Sequence, residues 1–520
     1  MNDSLTAATP HWPSGIFGKS VASCQERPAT YSSGRRTSLL RYPPVSISTS
    51  RARERSADRR HTDRQIIDMR FGRSTANSCA KRRSTPRQID GLPVGRSTTD
   101  PYDHGMRQAV DYLPRRAAEL VLEALTDTRV VIINGARQTG KSTLAERCLA
   151  DRPDAVKRYL DDPRTRASAT ADPVAFLDAP GTMLIDEVQR VPELWLAIKH
   201  AVDRDPRPGR FLLTGSARLL GLSELPDALP GRSETVELFP LSQGEILGAS
   251  DGFIDAAFAE GSSLRVEPSD VRRKDYFDLA SRGGYPEALR RPAPRRRAQF
   301  FKSYLDDIMS RDIHQVADIQ RRSDMRRLIA ALAAQSGGLL NYSRLASDLG
   351  MPVTTTREYV ALLEVVYLVR IIPAWSANAT ARATATAKLV FNDSGLAAHL
   401  LAGVTNDAAT GGLIETFVLG ELTRQLTWSQ TMARLHHYRD RDGYEVDAVL
   451  EDDAGRIVAI EVKAAETIRT DDFRSLRMLQ RRLGDRFHAG FILYCGDQQL
   501  PFGDGLSCLP ISALWTTIRT

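Results

Sequence analysis

Between Tyr112 and Leu247 the chain alternates short apolar runs with amphipathic stretches, after a leading tract that shows no such order. Val130–Ile133, Val156–Leu160, Thr182–Ile185, Arg210–Leu213 and Thr235–Leu238 read as strands. Ser142 to Ala150 reads as a helix, as does Pro192 to about Asp203 with Leu194, Leu196, Ile198 and Val202; Pro192 suits a first helical turn. Strands alternating with helices predict a parallel α/β sheet.

Residues 250–335 read as mainly helical and end in the basic run Asp324–Arg327. Tyr342–Ile372 has the order of a winged helix-turn-helix: helix Ser343–Leu349, a turn at Gly350, helix Thr354–Val365 and strand Val366–Ile372. Such a module reads DNA or packs against partners, and its second helix offers Arg357 as its one obvious base-reading cation. From Gly412 the pattern is helix Leu413–Leu426, strands Leu435–Arg439, Tyr444–Leu450 and Ile457–Val462, helix Asp471–Leu483 and strand Ala489–Tyr494.

Chemistry first becomes legible right after the first apolar run. Gly135-Ala136-Arg137-Gln138-Thr139-Gly140-Lys141-Ser142 is a complete G-x4-G-K-[ST] phosphate loop, followed by Thr143, in the strand–loop–helix setting its mechanism requires. Glycines let backbone N–H groups and a helix N-terminus close on phosphate oxygens. Lys141 would reach the β- and γ-phosphates of ATP, and Ser142 would bind Mg²⁺. Hydrolysis also needs an acid on the metal side and a base for water. Met183-Leu184-Ile185-Asp186-Glu187 supplies both at a strand end, Asp186 as metal-side ligand and Glu187 as general base. Thr214 or Ser216, after the fourth strand, is the candidate γ-phosphate sensor. Arg232 is either a finger on a neighbouring subunit's phosphate, which implies a homo-oligomer, or an ordinary surface ion-pair partner.

In sequence these motifs resemble the bacterial and archaeal AAA-type ATPases that carry a C-terminal domain of unknown function. The resemblance rests on the phosphate loop, Leu184-Ile185-Asp186-Glu187-Val188-Gln189, Leu213-Thr214-Gly215-Ser216, Phe239-Pro240-Leu241-Ser242, Gly283-Gly284-Tyr285-Pro286-Glu287, Asn392-Asp393-Ser394-Gly395-Leu396 and Ile414-Glu415-Thr416-Phe417. It covers about residue 110 onward and implies an ATPase core with sheet order 5-1-4-3-2. Thr214 departs from the Asn that many wider relatives carry at the sensor position.

The αβββαβ order of the tail is similar to the restriction-endonuclease-like core. That chemistry uses two carboxylates for a divalent metal and a lysine at the reacting phosphate. Asp447, Glu461 and Lys463 fit as D…E-x-K, with Val446 where a Pro is common, and Glu415 is a candidate further ligand. A hairpin centred near Asp453 places Asp447 opposite Glu461, with Lys463 on the same face. The alternative is an ordinary half-buried strand with Glu461 and Lys463 facing outward.

The formal charge of +7 changes the picture less than it first suggests. Residues 1–100 carry 18 Lys+Arg against 8 Asp+Glu, leaving 53 against 56 for the rest, so the folded body is close to neutral. The Ser-, Arg- and Pro-rich tract is expected to be disordered. It is either an over-extended reading frame, with translation starting near Met106 or Met69, or a basic nucleic-acid arm. Cys24, Cys79, Cys148, Cys495 and Cys508 are scattered without a C-x-x-C pair, which fits a reducing cytoplasm. No apolar stretch is long enough to span a membrane, and no signal-peptide order opens the chain.

The expected organisation is therefore a basic tract over residues 1–105 and a P-loop ATPase domain over 106–248. A helical region over 249–340, a winged-helix-like module over 341–375 and a restriction-endonuclease-like domain over 376–520 follow. The expected function is a Mg²⁺-dependent ATPase coupling nucleotide state to DNA or a protein partner. An ATP-regulated nuclease and a non-cleaving nucleotide switch are the alternatives.

Overall fold

The computed structural model of the chain describes residues 112–216, 229–313, 322–378, 380, 382, 385–403 and 407–518. The expectation of disorder over residues 1–105 lies outside them.

Helix α1 (Ala117–Asp127) leads into β1 (Val130–Asn134), and helix α2 (Lys141–Cys148) follows the phosphate loop. Then come β2 (Val156–Tyr159), α3 (Pro163–Ala171), β3 (Met183–Asp186), α4 (Leu194–Arg204), β4 (Phe211–Gly215) and β5 (Ser233–Glu237). All five strands run parallel in the order β2-β3-β4-β1-β5, the order that the family resemblance implies.

Side-chain parity explains the continuous apolar runs. Val131, Ile133, Leu184 and Leu212 face α1 and α2, whereas Val130, Ile132, Ile185 and Leu213 face Leu194, Trp195 and Ile198 of α4. Both faces of the sheet are covered, so neither can be polar.

The next helices are α5 (Gln243–Leu247), α6 (Phe253–Glu260), α7 (Arg273–Arg282) and α8 (Pro294–Asp307). A turn of π-helix, Ile308–Asp312, extends α8. Helices α9 (Arg322–Ala334), α10 (Tyr342–Leu349) and α11 (Val353–Val365) precede an antiparallel pair, β6 (Val369–Ile372) and β7 (Lys388–Phe391). Gly350 turns between α10 and α11 at φ 63°, a left-handed geometry that glycine adopts without strain. The expected strand from Val366 starts later, at Val369, because Tyr367 sits at φ 60° and breaks the extended run.

Helices α12 (Ser394–Leu400) and α13 (Asp407–Gln425) lead into the tail. There β8 (Arg434–Arg439), β9 (Glu445–Glu451), β10 (Ile457–Lys463), helix α14 (Arg474–Leu483), β11 (Phe487–Tyr494), β12 (Leu500–Pro501) and β13 (Leu506–Pro510) build a six-stranded sheet. Its order is β12-β13-β11-β10-β9-β8. Strands β8 to β10 are antiparallel, and β11 joins β10 in parallel through the α14 crossover.

Parity again sorts the faces of that sheet. Val458 and Ile460 meet Phe417, Val418 and Leu422 of α13, while Ile457 and Ala459 meet Leu476 and Leu479 of α14. Phe253, Tyr276 and Leu279 of α6 and α7 join the α13 side, so these helices share a core with the tail. No helix among the described residues is long and apolar enough to cross a membrane.

Candidate functional site

The phosphate loop crosses from β1 to α2 at the carboxyl edge of the parallel sheet. Asn134 Oδ1 accepts from Gly135 N at 3.0 Å, and Thr139 Oγ1 donates to the Ala136 carbonyl at 2.9 Å, so the loop's own polar groups hold its shape. A Cβ on Gly135 would stand 2.2 Å from the Leu238 carbonyl oxygen, a contact that only glycine permits. Gln138 adopts φ 62° and Gly140 φ 93°, the compact loop geometry that turns successive N–H groups inward. Lys141 is buried, and its Nζ donates to the carbonyls of Gly135 and Ala136 at 3.0 and 2.8 Å, poised across the loop.

The acidic half of the site lies on β3, with β4 between it and β1. Asp186 ends β3 with Oδ1 accepting from Ser142 Oγ and Thr214 Oγ1, each at 2.6 Å. Thr214 Oγ1 also accepts from the Glu187 backbone N at 3.0 Å, so one hydroxyl ties β4 to both acids. Glu187 has φ 58°, and its Oε2 accepts from Gln189 Nε2 at 2.5 Å and Ser216 Oγ at 3.4 Å. An open cavity of about 230 Å³ faces this group. It is lined by Arg137, Gln138, Gly140, Lys141, Ser142, Thr143 and Glu187 together with Asp307 from the end of α8. A hydroxyl and a carboxylate converging beside the loop are hard oxygen donors suited to Mg²⁺, and Ser142 and Asp186 are the residues that would hold it. When bound, the ion would supply charge at the phosphate oxygens.

Asp186, Thr214, Ser216 and Arg232, all expected at the site, are not among the residues that line the cavity. Thr214 is fully buried, and its hydroxyl bonds Asp186 Oδ1 and the Glu187 N–H. Arg232 precedes β5 at the amino edge of the sheet, where its carbonyl accepts from Val130 N, and it ion-pairs with Asp203 at 2.6 Å. It cannot reach the phosphate loop of its own chain from that edge.

Arg115 is a site residue that the motifs did not reveal. Buried to 8% exposure, it donates to the Thr139 carbonyl (2.7 Å), to the Phe239 carbonyl (2.6 Å) and to Glu245 Oε1 (3.1 Å). It thereby braces the phosphate loop against the segment that follows β5. Asp307 was missed as well, because a single acid at a helix end carries no sequence signal.

The tail brings Asp447, Glu461, Lys463 and Glu415 into one cluster. The β9–β10 ladder pairs Ala448 with Ile460, the register that the hairpin argument expects, and then ends as Asp447 Oδ2 accepts from Val462 N at 2.9 Å. Lys463 Nζ donates to Glu461 Oε1 at 2.9 Å. A further cation, unforeseen in the sequence, enters from β7. Lys388 is 1% exposed, and its Nζ donates to Asp447 Oδ1 at 3.0 Å, ion-pairs with Glu415 and lies 3.7 Å from Glu445. Burial, with Asp447 nearby, pushes Glu461 up to about 8 and Glu415 well above the usual carboxylate range. Next to Lys388, the buried His437 is lowered to about 4 by burial and by that ammonium, so it is neutral at pH 7. Among the described residues no group of three or more His, Cys, Asp or Glu is disposed to hold a metal ion.

Comparison with known proteins agrees with the central domain. Residues 127–247 match the family model of an AAA domain, residues 273–407 a domain of unknown function (DUF8612), and residues 410–514 a domain of unknown function (DUF4143). These matches support an AAA-type ATPase family for this chain, built on a five-stranded all-parallel sheet. An uncharacterised protein of Mycobacterium tuberculosis is 29% identical over 413 residues, covering 78% of this chain and 85% of that protein. One from Haemophilus influenzae is 27% identical over 247 residues, covering 46% of this chain and 57% of that protein. Among solved structures, a Walker-type ATPase of Pyrococcus abyssi is 19% identical with a TM-score of 0.32, covering 56% of this chain and 96% of that one. A Holliday junction branch migration motor of Thermotoga maritima is 20% identical with a TM-score of 0.24, covering 50% and 88%.

Proposed function

We propose that this chain is a Mg²⁺-dependent ATPase that couples its nucleotide state to DNA through its C-terminal half. In the chemical step Lys141 and the loop N–H groups would bind the phosphates, Ser142 and Asp186 would hold the ion, which would supply charge at the phosphate oxygens, and Glu187 would take the proton of the attacking water.

The observation that carries the coupling is the grip on the segment after β5 from both sides. On the ATPase side, Leu238 N donates to the Asn134 carbonyl at 2.7 Å, and Arg115 holds Phe239. On the tail side, Arg424 Nε of α13 donates to the Pro240 carbonyl at 2.9 Å, and Glu421 Oε2 accepts from Gln243 N at 3.0 Å. Glu237, the last residue of β5, also binds Tyr367 OH (3.2 Å) and Arg370 (3.1 Å) at the β6 end of the winged-helix-like module. A change at the phosphate loop therefore meets tail residues within a few side chains.

DNA is favoured as partner by the α10–turn–α11–β6–β7 order, whose second helix exposes Val353, Thr354, Arg357 and Glu358. Arg357 is stacked 4.3 Å over Tyr342 and so held at the surface. In a homo-oligomer, Arg232 of one copy would serve a neighbour's phosphate from the opposite sheet edge.

The test is steady-state ATP hydrolysis by the full chain with and without a panel of duplex DNAs. Stimulation several-fold by duplex, lost in Arg424→Ala and in Lys141→Ala, is expected. A rate that no DNA changes would remove DNA from the reading, and a rate that survives Lys141→Ala would remove ATP turnover at this site.

A further inference from the structure

The nuclease-like order of acids in the tail implies a divalent ion between them. The side chains around those acids imply something else. An ion shared by Glu415, Asp447 and Glu461 would need their oxygens free to turn inward. Asp447 Oδ1 and Glu415 Oε1 are already taken by Lys388 Nζ, Asp447 Oδ2 by Val462 N, and Glu461 Oε1 by Lys463 Nζ; Glu461 Oε2 is buried without a hydrogen-bond partner.

Lys388 is not a surface lysine leaning in. It lies within β7, in the fully buried run Lys388-Leu389-Val390-Phe391, and its Cα is registered against Ile372 and Leu339. An ammonium at that depth persists only where carboxylates compensate it, and these carboxylates are likewise tolerated only beside a cation. Each side therefore answers the other's charge without an ion from solution.

We propose that Lys388 stands in the place of the metal, so that the carboxylate cluster of this tail is closed by a tethered cation and binds no divalent ion. The proposal rests on the nuclease-like reading only for the expectation that a metal belongs there; the ion pairs stand without it. In this arrangement the tail does not cleave DNA by metal-assisted hydrolysis. Lys388 instead cross-links three elements, the β6–β7 pair, α13 and the β8–β10 sheet.

The test uses Mn²⁺ as probe, with the nucleotide-free full chain carrying Lys141→Ala, and free Mn²⁺ read by electron paramagnetic resonance. The expected titration is the same with and without Asp447→Asn. Replacing the cation by a neutral chain of similar length, Lys388→Met, is expected to create one new Mn²⁺ site, at least tenfold tighter than any background binding and lost on adding Asp447→Asn. Mn²⁺ bound by the Lys388 protein and released by Asp447→Asn would overturn the proposal. So would a folded Lys388→Met protein, checked by its circular dichroism, that gains no site. That second outcome would also count against the nuclease-like reading, whereas a site gained only in Lys388→Met upholds both. Should Lys388→Met not fold, the comparison between the Lys388 protein and its Asp447→Asn form still decides, since binding there overturns and its absence supports.

Discussion

Thr214 and Asp186 meet across 2.6 Å, the hydroxyl of β4 donating to the carboxylate that ends β3. The same hydroxyl receives the Glu187 N–H, so a single oxygen fixes the direction of two acids with separate tasks. This explains a Thr at the position where a sensor was expected. Buried, it bonds the side chain of one acid and the backbone of the other.

Replacing Thr214 by Val keeps the shape and removes the hydroxyl. It leaves Asp186 one donor short and the Glu187 N–H without its acceptor. A stability loss of roughly 1–3 kcal/mol is expected. ATP turnover should fall by about tenfold, with a much smaller change in ATP affinity, because the acids act in the chemical step. Urea denaturation and a kcat-against-KM comparison check the two halves.

Lys141→Ala and Glu187→Gln should separate binding from chemistry. The first removes the cation that faces the phosphates and weakens ATP binding. The second keeps the shape and hydrogen-bonding of the side chain, so binding persists while turnover falls by about 10²–10⁴-fold. Calorimetry with ATP and a phosphate-release assay read these outcomes, and undiminished hydrolysis by Glu187→Gln would take Glu187 out of the base role.

Arg115 and Glu245 form an ion pair at 3.1 Å with side chains 6% and 1% exposed. Arg115→Met leaves that carboxylate buried and unpaired, and frees the Thr139 carbonyl behind the phosphate loop. A loss of roughly 3 kcal/mol is expected, and part of it should return in Arg115→Met with Glu245→Gln. A loss of ATP affinity accompanying the stability loss, measured below the variant's Tm, would show that the brace shapes the loop.

Asp251 gives a pH signature. Burial, with Glu245 adding to it, pushes its carboxyl from the ordinary 3.8 up to about 7, against the Ser242 hydroxyl bond that lowers it. The native state thus keeps a proton that the unfolded chain has already lost. Its stabilisation is full below about pH 4, declines as pH rises towards 7, and is then flat. Asp251→Asn keeps an uncharged side chain at a φ of 54°, which Asn tolerates. The variant should match the parent near pH 4 and exceed it by ~4 kcal/mol at pH 8. Melting temperatures across that range provide the measurement; parallel curves would show that Asp251 is already charged in the native state.

The sequence made the nucleotide half legible because its signals are local. The loop spans eight consecutive residues, and Asp186 and Glu187 end an apolar run. The β9–β10 register was also legible, since period-two alternation across a short turn leaves little choice. Arg115 and Lys388 were not, because their partners lie 130 and 59 residues away. Lys388 did carry one usable sign. A lysine opening an otherwise apolar four-residue strand either carries its ammonium out to water or buries it, and a buried ammonium needs acids. Strands β12 and β13 escaped because Leu500–Pro501 is too short to show alternation, and β13 joins the sheet only through β11.

Helix α13 carries Glu415 near its middle and Glu421 and Arg424 near its end, with the last two fastened to the segment after β5. Glu415 and Glu421 are ~9 Å apart along an axis that rises ~1.5 Å per residue. A helix bends and rolls far more readily than it shortens. The part of a shift of Pro240 or Gln243 that runs along the axis of α13 would therefore either break the Glu421 and Arg424 hydrogen bonds or be carried to Glu415 and Lys388. For motion along its axis α13 would act as a push-rod, and under the proposed coupling a change at the phosphate loop would be felt at the tail as a pull on one buried ammonium.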